Sequence, residues 1–570
     1  MRYIEKIAKN IKRAGFSNIS ISSYNGGVKL SGELDNYDDI LLCGKLAVNK
    51  NSRGVINDIK LKGYIEKPMR TSQISDNLYD GERPDVVIVG GGIVGCAISR
   101  ELSKYNLKIM LLEKEYDLAT GQSSRNDGMI HAGIDLKPSS NKVKYNMRGN
   151  KLYDTLSKEL DVPIEKCGQC VLYTKKWQKY IYPFLKSRAR KNDIPVQPLS
   201  HSQVSEIVPN PGLSFGGFMC GGAGIVSPYL MTIALAENAV TNGVKICLNT
   251  AVLNIVNDGE KILSVETNRG TIYPKVLINA AGIFSDKIAE KAGDRFFTIH
   301  PRKGVEAVID SKVSDITKSV VGKFALKTSS GKGHTKGGGV ILTIDHNLLI
   351  GPNATEVIER EDESTTREDL DEVFNKQVML TPKLKQCDII TYFAGTRAAT
   401  YEEMFIVEKS PVIKNLVQAA GIQSPGITAA PAIAEDIAKY TLDILHLSKE
   451  EATNKNFNGH RKGIPCIKSL PIEERNALID QNPDYGVIIC RCEQVSKGEI
   501  IDAINSPIPS FTIDGIKRRV RAGMGRCQGG FCSPLITKII AEQTGKDITS
   551  VTKKGENSEI LIAFSKGADK

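Results

Sequence analysis

Tryptophan is almost absent, with one in 570 residues, and histidine is scarce, with seven. A single indole leaves little for a base-stacking platform, and no stretch resembles a nucleic-acid module. Long apolar runs are missing as well. The longest, VVIVGGGIVGCAI from Val86 to Ile98, is broken by four glycines. It falls short of the roughly 18 apolar residues of a membrane span. The first ten residues, MRYIEKIAKN, carry charges where a secretory leader needs an apolar core. A cytoplasmic protein, at most peripheral to the inner membrane face, is therefore expected. Twelve cysteines are present, but not as a spread secreted framework. Four cluster late in the chain, which reads as a metal site before it reads as disulfides.

What is present is ordinary for a globular protein: 41% hydrophobic and 25% charged residues. The formal charge of +11 suits a small anionic substrate, an anionic cofactor or an acidic partner, and equally a solvated lysine-rich surface. At roughly 100–200 residues per domain the length allows three or four domains. Residues 1–66 read as a small αββαβ unit, with a helix over Ile4–Ala14, strands over Ile19–Ser23 and Gly27–Leu34, a helix over Tyr37–Val48 and a strand over Val55–Leu61. A polar linker, 67–83, leads to a long α/β body, 84–455. A second linker, 456–485, precedes a compact cysteine module, 486–545, and a polar tail, 546–570.

The body opens on a β-branched strand, Asp85–Val89, that runs into Gly90-Gly91-Gly92-Ile93-Val94-Gly95. A helix is expected over Cys96–Tyr105 and a second strand over Lys108–Leu112, ending at Glu113. Gly90 allows the tight turn, Gly92 lets backbone approach a pyrophosphate, and Gly95 lets helix pack on strand. The helix N-terminus offers free N–H groups to phosphate, and Glu113 can accept hydrogen bonds from ribose hydroxyls. Strand, turn, helix and acid together mark a dinucleotide site.

Three further segments resemble the D-amino-acid-oxidase-like FAD superfamily. They are Thr120–Gly133, Val276–Asp286 with its Ala280-Ala281-Gly282 turn, and Ala419–Thr428 leading into a helix over Ala429–Leu445. The resemblance implies that Ser123, Ser124 and Asn126 line the pyrophosphate and that Gly282 returns to the cofactor. It also implies that Gly421, Gly426, Ile427 and Thr428 aim a helix N-terminus at the flavin, where a positive dipole end favours the anionic reduced form. Within the superfamily, the segments Met129–Asp135, His334–Gly337, Gly351–Ala354, Ala394–Arg397 and Gln423–Gly426 resemble the glycerol-3-phosphate oxidases and FAD-dependent glycerol-3-phosphate dehydrogenases. L-2-hydroxyglutarate oxidases share His131–Ile134 and Gly351–Ala354, so a 2-hydroxy acid stands beside glycerol 3-phosphate as the expected substrate. A non-catalytic flavin and iron–sulfur redox adaptor is the alternative of another class.

The expected chemistry is oxidation of a secondary alcohol beside an anionic group, with a hydride leaving for the flavin and a proton leaving for a base. His131 is the candidate base, because an unperturbed imidazole titrates near neutrality. Arg397 is the candidate anion clamp, since its planar guanidinium matches phosphate or carboxylate. Relatives often place proline after this arginine, where Ala398 stands here. Lys303 is the candidate second positive charge, and Ser424 can hydrogen-bond substrate or flavin.

Cys490 and Cys492 are followed, after 34 intervening residues, by Cys527 and Cys532. Four thiolates can hold a [2Fe–2S] cluster, and zinc also takes four. The spacing and Arg521–Cys532 resemble the bacterioferritin-associated-ferredoxin-like [2Fe–2S] domain. Cys167 and Cys170 form a second close pair, read as free thiols or a redox disulfide. The N-terminal unit resembles a BON domain, which implies docking to a membrane surface, a partner subunit or an electron acceptor not identified by sequence; a passive folding unit is the other reading. The fold class expected is thus α/β and α+β. It comprises a Rossmann-like FAD-binding fold with an inserted antiparallel-sheet substrate domain, a small αββαβ N-terminal domain and a small helical iron–sulfur C-terminal domain.

Overall fold

The computed structural model describes residues 2–324 and 338–563. At the N-terminus, α1 (Arg2–Arg13), β1 (Ser20–Tyr24), β2 (Gly27–Leu34), α2 (Tyr37–Ala47) and β3 (Val55–Leu61) follow in the αββαβ order. The three strands form one sheet in the order β1-β2-β3, antiparallel then parallel. The core of this unit, with Ile11, Val28, Leu30 and Cys43, also takes in Tyr401 from the body. Asn57 donates to Tyr401 Oη at 2.8 Å, and Arg53 pairs with Asp294 at 2.9 Å. The unit is therefore packed onto the body.

In chain order the body supplies β4 (Val86–Val89), α3 (Ile93–Leu102), β5 (Ile109–Leu112), β6 (Lys245–Cys247) and β7 (Val276–Asn279). Then come β8 (His300–Ile309), β9 (Ile389–Ala399), β10 (Ile406–Lys409), β11 (Leu416–Ala420) and α4 (Gly426–Leu445). One six-stranded sheet has the order β6-β5-β4-β7-β11-β10, parallel except at its β10 edge. Its central strands are buried on both faces and accordingly read as Val, Ile and Leu broken only by Met110 and Asn279. Helix α3 is buried nearly all round because the helices α4 and Pro228–Thr241 both pack on it. It begins at Ile93, three residues before the expected start, since Gly92 already serves as its N-cap.

A second, nine-stranded sheet contains β8 and β9 in antiparallel register, with Arg302 opposite Arg397. Between the body and the cysteine module the structure adds a helix, Ile472–Gln481, where a plain linker was expected. None of its residues is buried, so no apolar stripe marks it in the sequence. The C-terminal module packs α5 (Lys497–Ile504), α6 (Ile513–Val520) and α7 (Ser533–Thr544) around Ile500, Ile516, Ala522 and Ile536. Among the described residues no helix is long and apolar enough to cross a membrane.

Candidate active site

The nucleotide end follows from backbone geometry. Gly90 has φ +113°, and a Cβ there would lie 2.4 Å from the Ala280 carbonyl oxygen. A Cβ on Gly95 would lie 1.9 Å from the Gly90 oxygen, so only glycine lets α3 sit this close to β4. The Ser123 hydroxyl accepts from Ile93 N at 2.8 Å, at the first turn of α3. Glu113 accepts from Gly91 N at 2.6 Å and from Glu115 N at 2.9 Å. Burial pushes its carboxyl up despite those two donors. Asn126 holds the following loop, donating to the Gln122 and Ser123 oxygens and accepting from Gly128 N at 2.9 Å.

A cavity of about 1940 Å³ joins this end to the substrate end. Gly90, Gly92, Glu113, Ser123, Ser124, Asn126, Gly282, Gly426 and Ile427 line it, as do His131, Arg397 and Ser424. Four singled-out residues do not. Gly95 serves helix–strand packing. Gly421, at φ +63°, turns the chain beside Thr400. Thr428 is buried and accepts from His131 N at 2.9 Å, so it positions the backbone of that residue. Lys303 lies off the cavity and bonds Asp362 at 3.0 Å and Ser364 at 3.2 Å. Strand alternation explains this: on β8 the cavity face is Arg302, Gly304 and Glu306, and Lys303 falls on the other face.

The cavity fits FAD. It is long, takes in the N-termini of α3 and α4, and neither terminus carries a side-chain cap. Gly121 and Gly282 have open space where a Cβ would stand, so bare backbone faces the cavity there. Donors aimed into such a space suit a pyrophosphate at one helix and an electron-rich ring at the other.

At the substrate end Ser424 Oγ lies 3.4 Å from His131 Nε2. The Arg397 guanidinium lies over Gly304, where a Cβ would meet Nη2 at 2.4 Å. It donates to the Asn353 carbonyl at 3.3 Å. Arg302, its neighbour, is held by Glu356 at 2.9 Å and Glu403 at 2.7 Å. Arg397 forms no such pair among the described residues.

Sequence reasoning missed Glu306. It is 4% exposed, lines the cavity, and its Oε2 has no hydrogen-bond partner among the described residues. Burial and then Asp127 push its carboxyl well above the usual range, against the pull of Arg397. The signal was available, since Glu306 shares the face of Gly304 and Arg302 by strand parity. The His334–Gly337 segment lies outside the described residues.

In the C-terminal module Cys490 and Cys532 are buried and hydrogen-bonded together. Cys492 Sγ lies 3.5 Å from Cys527 Sγ on the solvent side. Among the described residues no three His, Cys, Asp or Glu side chains gather around one point as a single metal ion requires. Two thiol pairs fit two irons, each taking two thiolates, better than one zinc. Cys167 and Cys170 are both free thiols.

Comparison with known proteins agrees with this geometry. Residues 85–440 match the family described as FAD dependent oxidoreductase. The chain belongs to that family. Residues 488–542 match the BFD-like [2Fe-2S] binding domain. The protein is an FAD-dependent oxidoreductase with a [2Fe–2S] cluster. A glycerol 3-phosphate dehydrogenase of Caloramator mitchellensis is 40% identical over 490 residues, covering 85% of this chain and 99% of that protein. A glycerol 3-phosphate oxidase of Mycoplasma genitalium is 32% identical, over 66% of this chain and 97% of its own. The dithionite-reduced, FAD-bound L-alpha-glycerophosphate oxidase of Mycoplasma pneumoniae superposes with a TM-score of 0.61 at 31% identity, over 67% of this chain and 98% of that one.

Proposed function

We propose that the protein is a dehydrogenase that oxidises sn-glycerol 3-phosphate to dihydroxyacetone phosphate and passes the electrons on through its cluster. The observation that carries this reading is the pairing, in one cavity, of an arginine and a buried carboxyl oxygen that have no ion-pair or hydrogen-bond partner, respectively, among the described residues, beside a histidine–serine contact. The relatives named above support the same substrate.

When bound, FAD accepts the carbinol hydride, and the cluster can carry electrons away one at a time. The rest falls to the chain. Arg397 binds the phosphate through its planar fork. Glu306, whose protonated form burial favours, donates in that form a second hydrogen bond to a phosphate oxygen. Ser424 orients the substrate hydroxyl, and His131 Nε2 takes its proton, so that loss of hydride and proton leaves the ketone. The onward route is supported by packing. Met524, between the cluster cysteines, meets Tyr229 Oη at 3.4 Å. The preceding Pro228 abuts Gly128, three residues before His131.

Anaerobic addition of glycerol 3-phosphate is expected to bleach the visible flavin absorbance and then reduce the cluster. Bleaching by L-2-hydroxyglutarate and not by glycerol 3-phosphate would overturn the substrate. Reoxidation by air at the turnover rate, with the cluster still oxidised, would overturn the electron route.

A further inference from the structure

The far end of the cavity is walled by residues that belong to neither the Rossmann-like sheet nor the substrate sheet. Arg518 comes from α6, Lys554 and Asn557 from the segment after the cysteine module, and Ser72 and Gln73 from the stretch before β4. Two sets of contacts hold this wall in place. Asp117, four residues after Glu113, is 2% exposed. Arg519 grips it through two bonds, at 2.9 and 3.1 Å, and Arg518 adds a third at 2.8 Å. Farther out, Glu556 accepts from Ser72 Oγ at 2.7 Å and from Gln73 N at 2.6 Å. Gly555 lies flat on the Tyr116 ring, where a Cβ would come within 2.8 Å. The segment is tied back to α6 by Asp514 N, which donates to the Lys553 oxygen at 2.9 Å.

The direction of the nucleotide follows from the fold. With pyrophosphate at the α3 N-terminus and ribose at Glu113, the adenine continues past the end of β5. There it meets Tyr116 and Asn249 on one side and the C-terminal segment on the other. We propose that the adenosine half of FAD binds between the flavin-binding domain and the iron–sulfur domain, with Lys554 and Asn557 as its outer hydrogen-bond donors. Nucleotide occupancy and docking of the iron–sulfur domain then stabilise each other, by the reciprocity of any two linked equilibria. A chain that has lost FAD holds its cluster domain more loosely, and a loosened domain releases FAD faster. The inference rests on FAD binding and is independent of which alcohol is oxidised.

Two measurements on the full-length protein test it, and neither reads activity. The first is the FAD dissociation constant, followed by the fluorescence of released flavin. Lys554 and Asn557 are exposed, so the double substitution K554A/N557A leaves the core intact. It is expected to weaken FAD roughly 5- to 150-fold, at about 0.5–1.5 kcal/mol for each of two hydrogen bonds. K538A, on the same domain away from the cavity, is expected to change nothing. The second is amide hydrogen exchange in α6 of FAD-free protein, with ADP as the probe. ADP is expected to slow exchange over residues 513–520, and D117N to abolish that protection. Unchanged FAD affinity in K554A/N557A would overturn the proposal, as would ADP leaving exchange in α6 unaltered.

Discussion

Glu306 makes the sharpest prediction, because its acid and base forms should act oppositely on an anion. Burial and Asp127 raise its carboxyl well above the usual range, and Arg397 opposes them without reversing the result. The raised pKa favours the neutral acid, which has one O–H to give. Glu306→Leu keeps the buried volume and removes that donor. A hydrogen bond to a charged group is worth about 1.5–3 kcal/mol, so kcat/KM for glycerol 3-phosphate should fall about 10- to 150-fold. Glu306→Gln keeps an N–H donor of similar shape and should stay within about threefold of the native enzyme. The pH dependence separates the two forms. Below the raised pKa the acid donates and binding is complete; above it a carboxylate faces the phosphate and KM climbs. Phosphate monoesters lose their second proton near pH 6, so the substrate adds nothing to this alkaline limb. Glu306→Gln, which cannot ionise, should lack the limb. The assay is anaerobic dye reduction across pH 6–10, with FAD content and melting temperature as controls for folding. A loss in Glu306→Gln equal to that in Glu306→Leu would refute the donor role. An alkaline limb that survives in Glu306→Gln would move the titration to another group, and not to Arg397, because a guanidinium stays protonated throughout this range.

Arg397→Ala should raise KM for glycerol 3-phosphate by about 2–5 kcal/mol of lost binding, and Arg397→Lys should restore only part, because an ammonium cannot grip two phosphate oxygens in one plane. Asp117→Ala leaves buried Arg519 and part-buried Arg518 without their carboxylate and should cost about 3–5 kcal/mol of interdomain stability, seen as separate calorimetric melting of the C-terminal domain. Burial works against the Asp117 charge, but Arg519 and Arg518 hold its carboxyl far below the usual range. Its contribution is therefore present above the unfolded carboxyl value and lost only as pH falls through the lowered one. Cys527→Ser should lose iron and sulfide on analysis, while substrate still bleaches the flavin when FAD is supplied in excess. Glu402, pushed up by burial to about 7, behaves with the opposite sign: its folded pKa is raised, so stability is lost as pH climbs from about 4.5 towards 7. Glu402→Gln should raise the melting temperature at pH 8 by up to about 3 kcal/mol of stability and leave it unchanged at pH 4.

Where local backbone sterics write the pattern, the chain was readable. Gly90, Gly92 and Gly95 each answer a contact within a few residues or one strand away, and the β2 and β3 boundaries are those expected from alternation and turn residues. Where a role depends on which face of a strand meets the cavity, resemblance alone misled. Lys303 carries the right charge for an anion site but the wrong parity, and Glu306, three residues on, has the right parity and a charge that looks wrong until burial neutralises it. Where a role depends on segments meeting across the whole chain, sequence was silent. The Glu556–Ser72 contact spans 484 residues, and both partners sit in stretches that read as polar linker and polar tail. Glu113 and Asp117 show the distinction in one loop. Both follow β5 and both are acids. The spacing from the glycines marks the first as a ribose ligand, whereas the second is recognisable only once Arg518 and Arg519 arrive from 401 and 402 residues away. If this one short loop carries the nucleotide on one side, as proposed, and Arg518 and Arg519 of the iron–sulfur domain on the other, the two cofactor sites should answer to each other.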